Sequence, residues 1–197
     1  AGILISRDVK WPVGKDHERQ LDMSRNFAEP FNYRYGEIFA LPYPFNYVSD
    51  LIKIMSLDGN GKMNKSDNEM STLIIADNDD LLHKKIMKAK TDNGPQEKNS
   101  VKPGYIENLF LLMKLVSSET VVNKFENDFN SCTIRYGDMK KQLAEDMITF
   151  IKPLRQKALQ LQQDKNFLEK IILQGKEKAQ ASAEATLKSV REAMGIN

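Results

Sequence analysis

The chain has 197 residues, of which 41% are hydrophobic and 28% are charged, a composition typical of a soluble globular protein with one large or two small domains. It contains no run of about 18 apolar residues and therefore predicts no membrane span. A net charge of +2, from 29 basic and 27 acidic residues, neither requires nor excludes a nucleic-acid partner. The single cysteine, Cys132, excludes an internal disulfide, and two histidines are too few for a histidine-rich metal site.

The first predicted elements form a strand, a turn and a helix. The apolar run Ile3–Ile5 predicts a buried strand of a parallel sheet, and a helix is predicted from about residue 18 to 27. The stretch 31–36 is expected to end that helix, with Gly36 as its glycine terminator. Between the strand and the helix Gly14 makes a turn and Asp16 stands at the helix start, where N–H groups and a carboxylate face a ligand at the sheet edge. Asp16 then either accepts a hydrogen bond from a ribose hydroxyl or simply caps the helix.

A second short strand is predicted at residues 52–55. It follows a proline- and aromatic-rich connection at residues 37–50, which is expected to be ordered but irregular. The strand leads directly into residues 55–67, which we call the lysine loop. We expect this loop to swing while its root on the sheet edge stays in place.

The lysine loop has the composition of a phosphate clamp. Its flexible part contains three residues that reach positive φ at little cost: Gly59, Asn60 and Gly61. Lys62 and Lys65 place two cations on the loop, and Asn64 and Ser66 can hydrogen-bond oxygens or backbone groups beside them. Such a loop can stabilise negative charge that moves onto a leaving phosphate.

Two other interpretations of the lysine loop stay open at this point. Loops of lysine, glycine and asparagine are common on protein surfaces, so the pattern can arise by chance. The twelve residues 58–69 also resemble an EF-hand calcium loop. That pattern fails at Lys62, where an oxygen ligand is needed, and at Met63, which replaces the glycine of the sharp turn.

From residue 77 onward the sequence predicts helices. Asp77-Asn78 offers an N-cap for the first of them. Pro153 is expected to interrupt a long helix, and Gly175 to separate the last two, with Ala179, Ala183, Leu187, Val190 and Met194 facing inward on the last. Apolar residues at helical spacing place these helices at about residues 82–89, 106–116, 119–128, 139–154, 167–172 and 179–194.

Several motifs together resemble one family along nearly the whole chain. Lys62 to Ser66 is similar to the KMSKS signature of class I aminoacyl-tRNA synthetases, with Asn64 in place of the first serine. The order and spacing of further motifs resemble bacterial-type tryptophanyl-tRNA synthetases: residues 12–16, Ser24-Arg25, Tyr35-Gly36, residues 55–57, Thr91-Asp92, residues 102–104, Asn108-Leu109, Tyr136-Gly137 and Lys178-Ala179.

The resemblance implies an α/β fold, in which residues 1–76 form the second half of a Rossmann-like nucleotide fold and residues 77–197 form an all-α anticodon-binding domain. It implies ATP-dependent activation of tryptophan and transfer to tRNA(Trp), with Mg²⁺ accompanying ATP, no protein-bound metal, a homodimer, and a cytoplasmic location with an organellar matrix as the alternative. A tyrosyl-tRNA synthetase portion shares the fold. A non-catalytic helical tRNA-binding or regulatory module is the alternative from another class.

The resemblance also implies roles for individual residues. Lys62 and Lys65 would neutralise the pyrophosphate leaving group, with Asn64 and Ser66 beside the phosphates. The expected ATP contacts further include Gly14, Asp16, Ile54, Met55 and Met63, of which the last three lie near adenine. The amino-acid side would include Gly2, Val13 and His17. Plausible tRNA phosphate contacts are Lys140, Lys141, Arg155 and Lys157.

Two departures from the family pattern affect the expected activity. Gly2 stands where the family has an indole-reading aspartate, and Ala1-Gly2 is either native or a vector-derived remnant. The HIGH-like motif that cooperates with the lysine loop belongs to a preceding half that these 197 residues do not include. The chain alone is therefore expected to be nearly inactive, because transition-state charge would be met from one side only.

Overall fold

The computed structural model describes residues 2–14, 17–45 and 52–196. The chain divides into two compact units: one contains residues 1–51 and 164–197, and the other contains residues 52–163. Besides a 3-10 turn at Glu69–Ser71, the elements in chain order are α1 (Gly2–Ile5), β1 (Lys10–Pro12), α2 (Glu18–Tyr35), β2 (Tyr43–Phe45), α3 (Asp79–Met87), α4 (Gly104–Val116), α5 (Glu119–Asn130), α6 (Tyr136–Gln163) and α7 (Lys165–Met194).

The predicted strand at Ile3–Ile5 is wrong, because these residues belong to the short helix α1. Its last carbonyl groups are bound by hydroxyls of α7: Thr186 donates to the Ile5 carbonyl at 2.8 Å, and Ser182 donates to the Ser6 carbonyl at 3.3 Å. Thr186 is fully buried at this contact. Three apolar residues show no periodicity that separates a helix from a buried strand, so the contact with α7 decided the conformation.

The first unit contains a two-stranded parallel sheet packed against α2. Trp11 of β1 pairs with Pro44 of β2, inside the connection that was expected to be irregular. The α2 helix continues past the predicted end through Pro30 and finishes at Gly36, whose φ of 93° supports the prediction of a glycine terminator. The Asn32 side chain then fixes the following turn by accepting from the N–H groups of residues 38 and 39.

Helix α7 runs without a break through Gly175, contrary to the predicted division into two helices. The residues around Gly175 are strong helix formers, and a glycine costs only about 1 kcal/mol in such a helix. Two residues that were expected to face inward, Leu187 and Met194, are 38% and 43% exposed. No helix among residues 2–14, 17–45 and 52–196 is both long and apolar enough to cross a membrane.

The second unit is a helical bundle in which α6 packs against α3 and α4, and α4 packs against α5. The rings of Phe110 and Phe129 meet edge to face, with centroids 6.1 Å apart. The predicted helical periodicity is confirmed here, since the fully buried residues of this unit include Leu82, Ile86, Ile106, Leu109, Met113, Met139 and Leu143.

Pro153 does not interrupt α6, which extends ten residues beyond it to Gln163. All the buried residues of α6 precede the proline, the last being Ile151. The extension is composed of leucine, glutamine, lysine, arginine and alanine, which favour helix strongly enough to continue it past the missing N–H donor.

The predicted strand at residues 52–55 is also wrong. Met55 forms only an isolated antiparallel bridge with Lys62, so the lysine loop begins as a tight hairpin. The Ser56 N–H donates to the Gly61 carbonyl at 3.1 Å, and the Met63 N–H donates to the Ile54 carbonyl at 3.0 Å. On the side away from Lys62, the Met55 backbone is hydrogen-bonded by the Asn108 side chain of α4 rather than by another strand, which explains why no sheet forms.

A buried ion pair joins the segment after the lysine loop to α3. Lys85 Nζ lies 2.7 Å from Asp77 Oδ2, and the two side chains are 0% and 7% exposed. The same Asp77 oxygen accepts from the Ile74 N–H at 3.0 Å. The predicted N-cap is confirmed beside this pair, because the Asn78 side chain accepts from the Leu81 N–H. The ion pair therefore fixes the chain where it enters α3.

Replacing Lys85 with alanine should lower the free energy of unfolding by about 3–5 kcal/mol, because Asp77 would keep a buried charge without its partner. Urea denaturation measures the change. The matched control is Lys84→Ala, since Lys84 is exposed on the same helix and should change stability by no more than about 0.5 kcal/mol. Equal effects of the two substitutions would contradict a structural role for the pair.

Replacing Gly59 with alanine should destabilise the hairpin more than the same change at Gly61. Both glycines have positive φ, 80° and 74°, so both substitutions strain the backbone. A Cβ at Gly59 would also lie 3.0 Å from Tyr105 Cβ, whereas nothing lies within 4 Å of one at Gly61. Thermal unfolding of both variants measures the difference, and equal melting temperatures would show that the hairpin does not rest on Tyr105.

Candidate functional site

The tip of the lysine loop is closed by one carboxylate. Asp58 Oδ1 accepts from the Ser56 hydroxyl at 2.7 Å and from the Asn60 N–H at 2.9 Å. The Ser56 hydroxyl, followed by the Asn60 N–H, holds the pKa of Asp58 below its ordinary value. The Asp58 carboxylate therefore shapes the turn of the hairpin at neutral pH.

Lys65 lies in a second turn, which follows the hairpin directly. The Asn64 N–H donates to Asp67 Oδ2 at 2.8 Å, and the Asn64 side-chain amide donates to the Lys62 carbonyl at 2.8 Å. Asn64, which was expected to bond either oxygens or the backbone, thus bonds within the loop, and its role toward ATP stays a prediction. Lys62, Lys65 and Ser66 are all exposed. Both lysines are therefore at the surface, on a backbone that is fixed by hydrogen bonds from side chains of the loop itself.

The root of the lysine loop is held by the helical core. Leu57 is 3% exposed, and its backbone donates to the Ser71 carbonyl at 2.9 Å and accepts from the Lys90 N–H at 2.8 Å. Asn108 of α4 binds Met55 through both polar atoms of its side-chain amide: its Oδ1 accepts from the Met55 N–H at 2.8 Å, and its Nδ2 donates to the Met55 carbonyl at 3.0 Å. Only the outer part of the loop is therefore left to move.

The residues expected near adenine lie at the base of the hairpin. Ile54 and Met63 are half-buried and pack against the helical core. The Met63 sulfur also accepts from the Leu73 N–H at 3.4 Å. The backbone of Met55 is bound by Asn108, as described above. Contacts of these three residues with adenine remain a prediction.

The remaining substrate-binding candidates belong to the other compact unit. Gly2 is exposed in α1, whereas Val13 and Gly14 are half-buried just after β1. The Gly14 carbonyl accepts from the His17 N–H at 2.9 Å. Asp16 lies outside the described residues. The roles of these residues toward nucleotide and amino acid stay predictions.

Two of the four proposed tRNA contacts are used inside the bundle. Lys140 is 8% exposed, and its ammonium donates to the Ala89 carbonyl at 2.6 Å and to Thr91 Oγ1 at 3.0 Å, which caps the chain after α3. Burial lowers the pKa of Lys140. Arg155 forms an ion pair of 2.7 Å with Asp79 and is 14% exposed. The other two, Lys141 and Lys157, are exposed on α6.

Sequence reasoning missed three residues that position the lysine loop: Asp77, Lys85 and Asn108. For Asn108 a signal existed, because its neighbours on the same helix face are apolar: Tyr105, Leu111 and Leu112. In the structure Asn108 is only 4% exposed. A buried amide must find partners, and the partners are backbone groups 53 positions away in the chain. Residue order alone does not identify them.

Comparison with known proteins shows the family of this chain. Residues 1–152 match the family described as tRNA synthetases class I (W and Y). The tryptophan--tRNA ligase of Porphyromonas gingivalis is 45% identical over 197 residues, which are 100% of this chain and 60% of that protein. The tryptophan--tRNA ligase of Rickettsia prowazekii is 36% identical over 200 residues, covering 100% of this chain and 59% of that protein. The chain thus spans about 60% of the length of these curated relatives.

Solved structures show the same relationship. The crystal structure of tryptophanyl-tRNA synthetase from Campylobacter jejuni, complexed with ADP and tryptophan, has a TM-score of 0.77 and 27% identity, and covers 98% of this chain and 59% of that one. A structure of the Mycoplasma pneumoniae tryptophanyl-tRNA synthetase has a TM-score of 0.73. These likenesses confirm the predicted fold class, part of a Rossmann-like synthetase fold followed by helices. The chain belongs to the class I tRNA synthetase family that comprises the tryptophan and tyrosine enzymes.

Proposed function

We propose that the protein containing this chain is a tryptophan-tRNA ligase, which activates tryptophan with ATP and transfers it to tRNA(Trp). The observation on which this depends is the similarity to tryptophan--tRNA ligases along the whole chain, 45% over 197 residues in one relative. The family description includes both the tryptophan and the tyrosine enzymes, and the curated relatives favour tryptophan.

The lysine loop would act in the first step of this reaction. A carboxylate oxygen of tryptophan attacks the α-phosphorus of ATP, the bond from that phosphorus to the bridging oxygen breaks, and pyrophosphate leaves with the electron pair. Negative charge therefore grows on the pyrophosphate oxygens. Lys62 and Lys65, both exposed on the shaped loop, would stabilise that charge more in the transition state than in bound ATP.

Mg²⁺ would arrive with ATP rather than on a protein site. The parts of the chain that the structure describes contain no group of three or more His, Cys, Asp or Glu side chains placed to hold a metal ion. Mg²⁺ commonly keeps several waters and binds through substrate phosphates. We therefore assign no residue of this chain as a metal ligand.

The proposed assembly follows from the same family. Residues 1–76 would complete the catalytic nucleotide domain and residues 77–197 would form the anticodon-binding domain, although the compact units divide the chain at residues 51 and 163 instead. The complete protein would be a homodimer in the cytoplasm or, alternatively, in an organellar matrix. Lys141 and Lys157 are the proposed phosphate contacts that remain exposed on α6.

Replacing Lys62 or Lys65 with alanine in the complete gene product should lower kcat for ATP–pyrophosphate exchange by about 10²–10³-fold, because each removes a cation that would stabilise charge on the leaving group. The KM for tryptophan should change little. The control is Lys98→Ala, which removes an exposed lysine elsewhere in the same unit. Unchanged exchange in both loop variants would refute the role of the lysine loop. Exchange dependent on tyrosine instead of tryptophan would favour the tyrosyl alternative.

Replacing Lys141 and Lys157 with alanine should weaken tRNA binding and flatten its dependence on salt. Each phosphate contact that is lost should reduce the slope of log K against log salt concentration by about 0.7–0.9. Filter binding at several salt concentrations measures the slope. Lys98→Ala should leave it unchanged, and an unchanged slope in the double variant would exclude this face of α6 from the tRNA interface.

A further inference from the structure

We propose that Asn108 is a positioning residue for adenylate formation: its amide holds the Met55 backbone and thereby sets the place of the lysine loop. This inference rests on the proposed function of that loop. Asn108 is 4% exposed. Its Oδ1 lies 2.8 Å from the Met55 nitrogen, and its Nδ2 lies 3.0 Å from the Met55 oxygen. A residue outside the loop thus controls the backbone from which the loop projects.

The chemistry of the side chain fits this role. A carboxamide has one acceptor oxygen and one donor nitrogen, and it can bind an N–H and a C=O of one residue together, as a neighbouring strand residue does. Asn108 occupies the edge of Met55 on which no strand lies. A leucine of similar size could fill the space but could bind neither group, and aspartate lacks the donor.

The contact is transmitted to the lysines through the hairpin. Met55 is bridged directly to Lys62, and the next pair, Ile54 and Met63, is joined by a hydrogen bond of 3.0 Å. A displacement of Met55 therefore moves Lys62. The carbonyl of Lys62 in turn accepts from the Asn64 amide, so the turn that contains Lys65 is connected as well.

The contacts that do not involve Asn108 should confine the effect of its replacement to the lysine loop. Leu57 keeps its hydrogen bonds to residues 71 and 90 when Asn108 is replaced, so the hairpin stays attached at that point. Helix α4 keeps its packing through Ile106, Leu109 and Met113, which are all at most 1% exposed. Loss of the Asn108 amide should therefore loosen the first limb of the loop and leave the bundle folded.

The test compares Asn108→Leu with two controls in the complete gene product. Asn123→Leu makes the same chemical change on the exposed face of α5, and Phe125→Leu disturbs the core of the bundle at a residue that is 4% exposed. Hydrogen exchange of the Met55 and Met63 amides and the kinetics of ATP–pyrophosphate exchange are measured on all three variants.

In Asn108→Leu the Met55 and Met63 amides should exchange at least about tenfold faster, while amides of α4 stay protected. The kcat for ATP–pyrophosphate exchange should fall about tenfold or more, with the KM for tryptophan changed less than about twofold, because misplaced lysines weaken transition-state binding. Neither control should show this combination.

Three outcomes would overturn the inference. Unchanged exchange of the Met55 and Met63 amides would show that Asn108 does not hold the loop. An equal loss of kcat in Phe125→Leu would indicate a general effect of destabilisation. Faster amide exchange with unchanged kcat would show that loop position is irrelevant to the reaction. If the unmodified protein lacks ATP–pyrophosphate exchange altogether, the proposed function itself fails, which the other outcomes do not imply.

Discussion

The two hydrogen bonds between the Asn108 amide and the Met55 backbone connect the charged loop of this protein to its helical core. A hairpin whose two limbs are joined by one bridge and two backbone hydrogen bonds is not stable alone in water. Its order depends on what lies beneath it, namely the buried Leu57 and the amide of Asn108. The position of Lys62 and Lys65 is therefore a property of the bundle as much as of the loop.

This construction divides the loop into a fixed base and an exposed outer part. At the entrance Asn108 holds Met55, and at the exit the Asp77–Lys85 ion pair holds the chain at residue 74. Between these points the two lysines are exposed. A loop that is fixed at both ends has less conformational entropy to lose if it binds a ligand.

The fold was predictable wherever local rules and burial agreed. The helices of the bundle, the Asn78 cap and the Gly36 terminator follow from periodicity and capping chemistry, and the structure confirms them. The errors lie where a short apolar run was interpreted without its neighbours, at residues 3–5 and 52–55. They lie also where a single Pro153 or Gly175 was given more weight than the helix formers around it, since propensities sum over a whole segment.

Residue order alone was enough to identify the lysine loop, because two lysines three apart after a glycine turn are a local pattern. It was enough to identify the family because further motifs along the chain share the order and spacing of that family. Residue order could not show which lysines are buried and which are exposed. Lys140 and Lys141 are neighbours of the same type, yet the first is buried as a cap of the chain after α3 and the second is exposed. Burial and hydrogen-bond partners depend on segments more than fifty residues apart, as with Asn108 and Met55, and only tertiary packing brings those segments together.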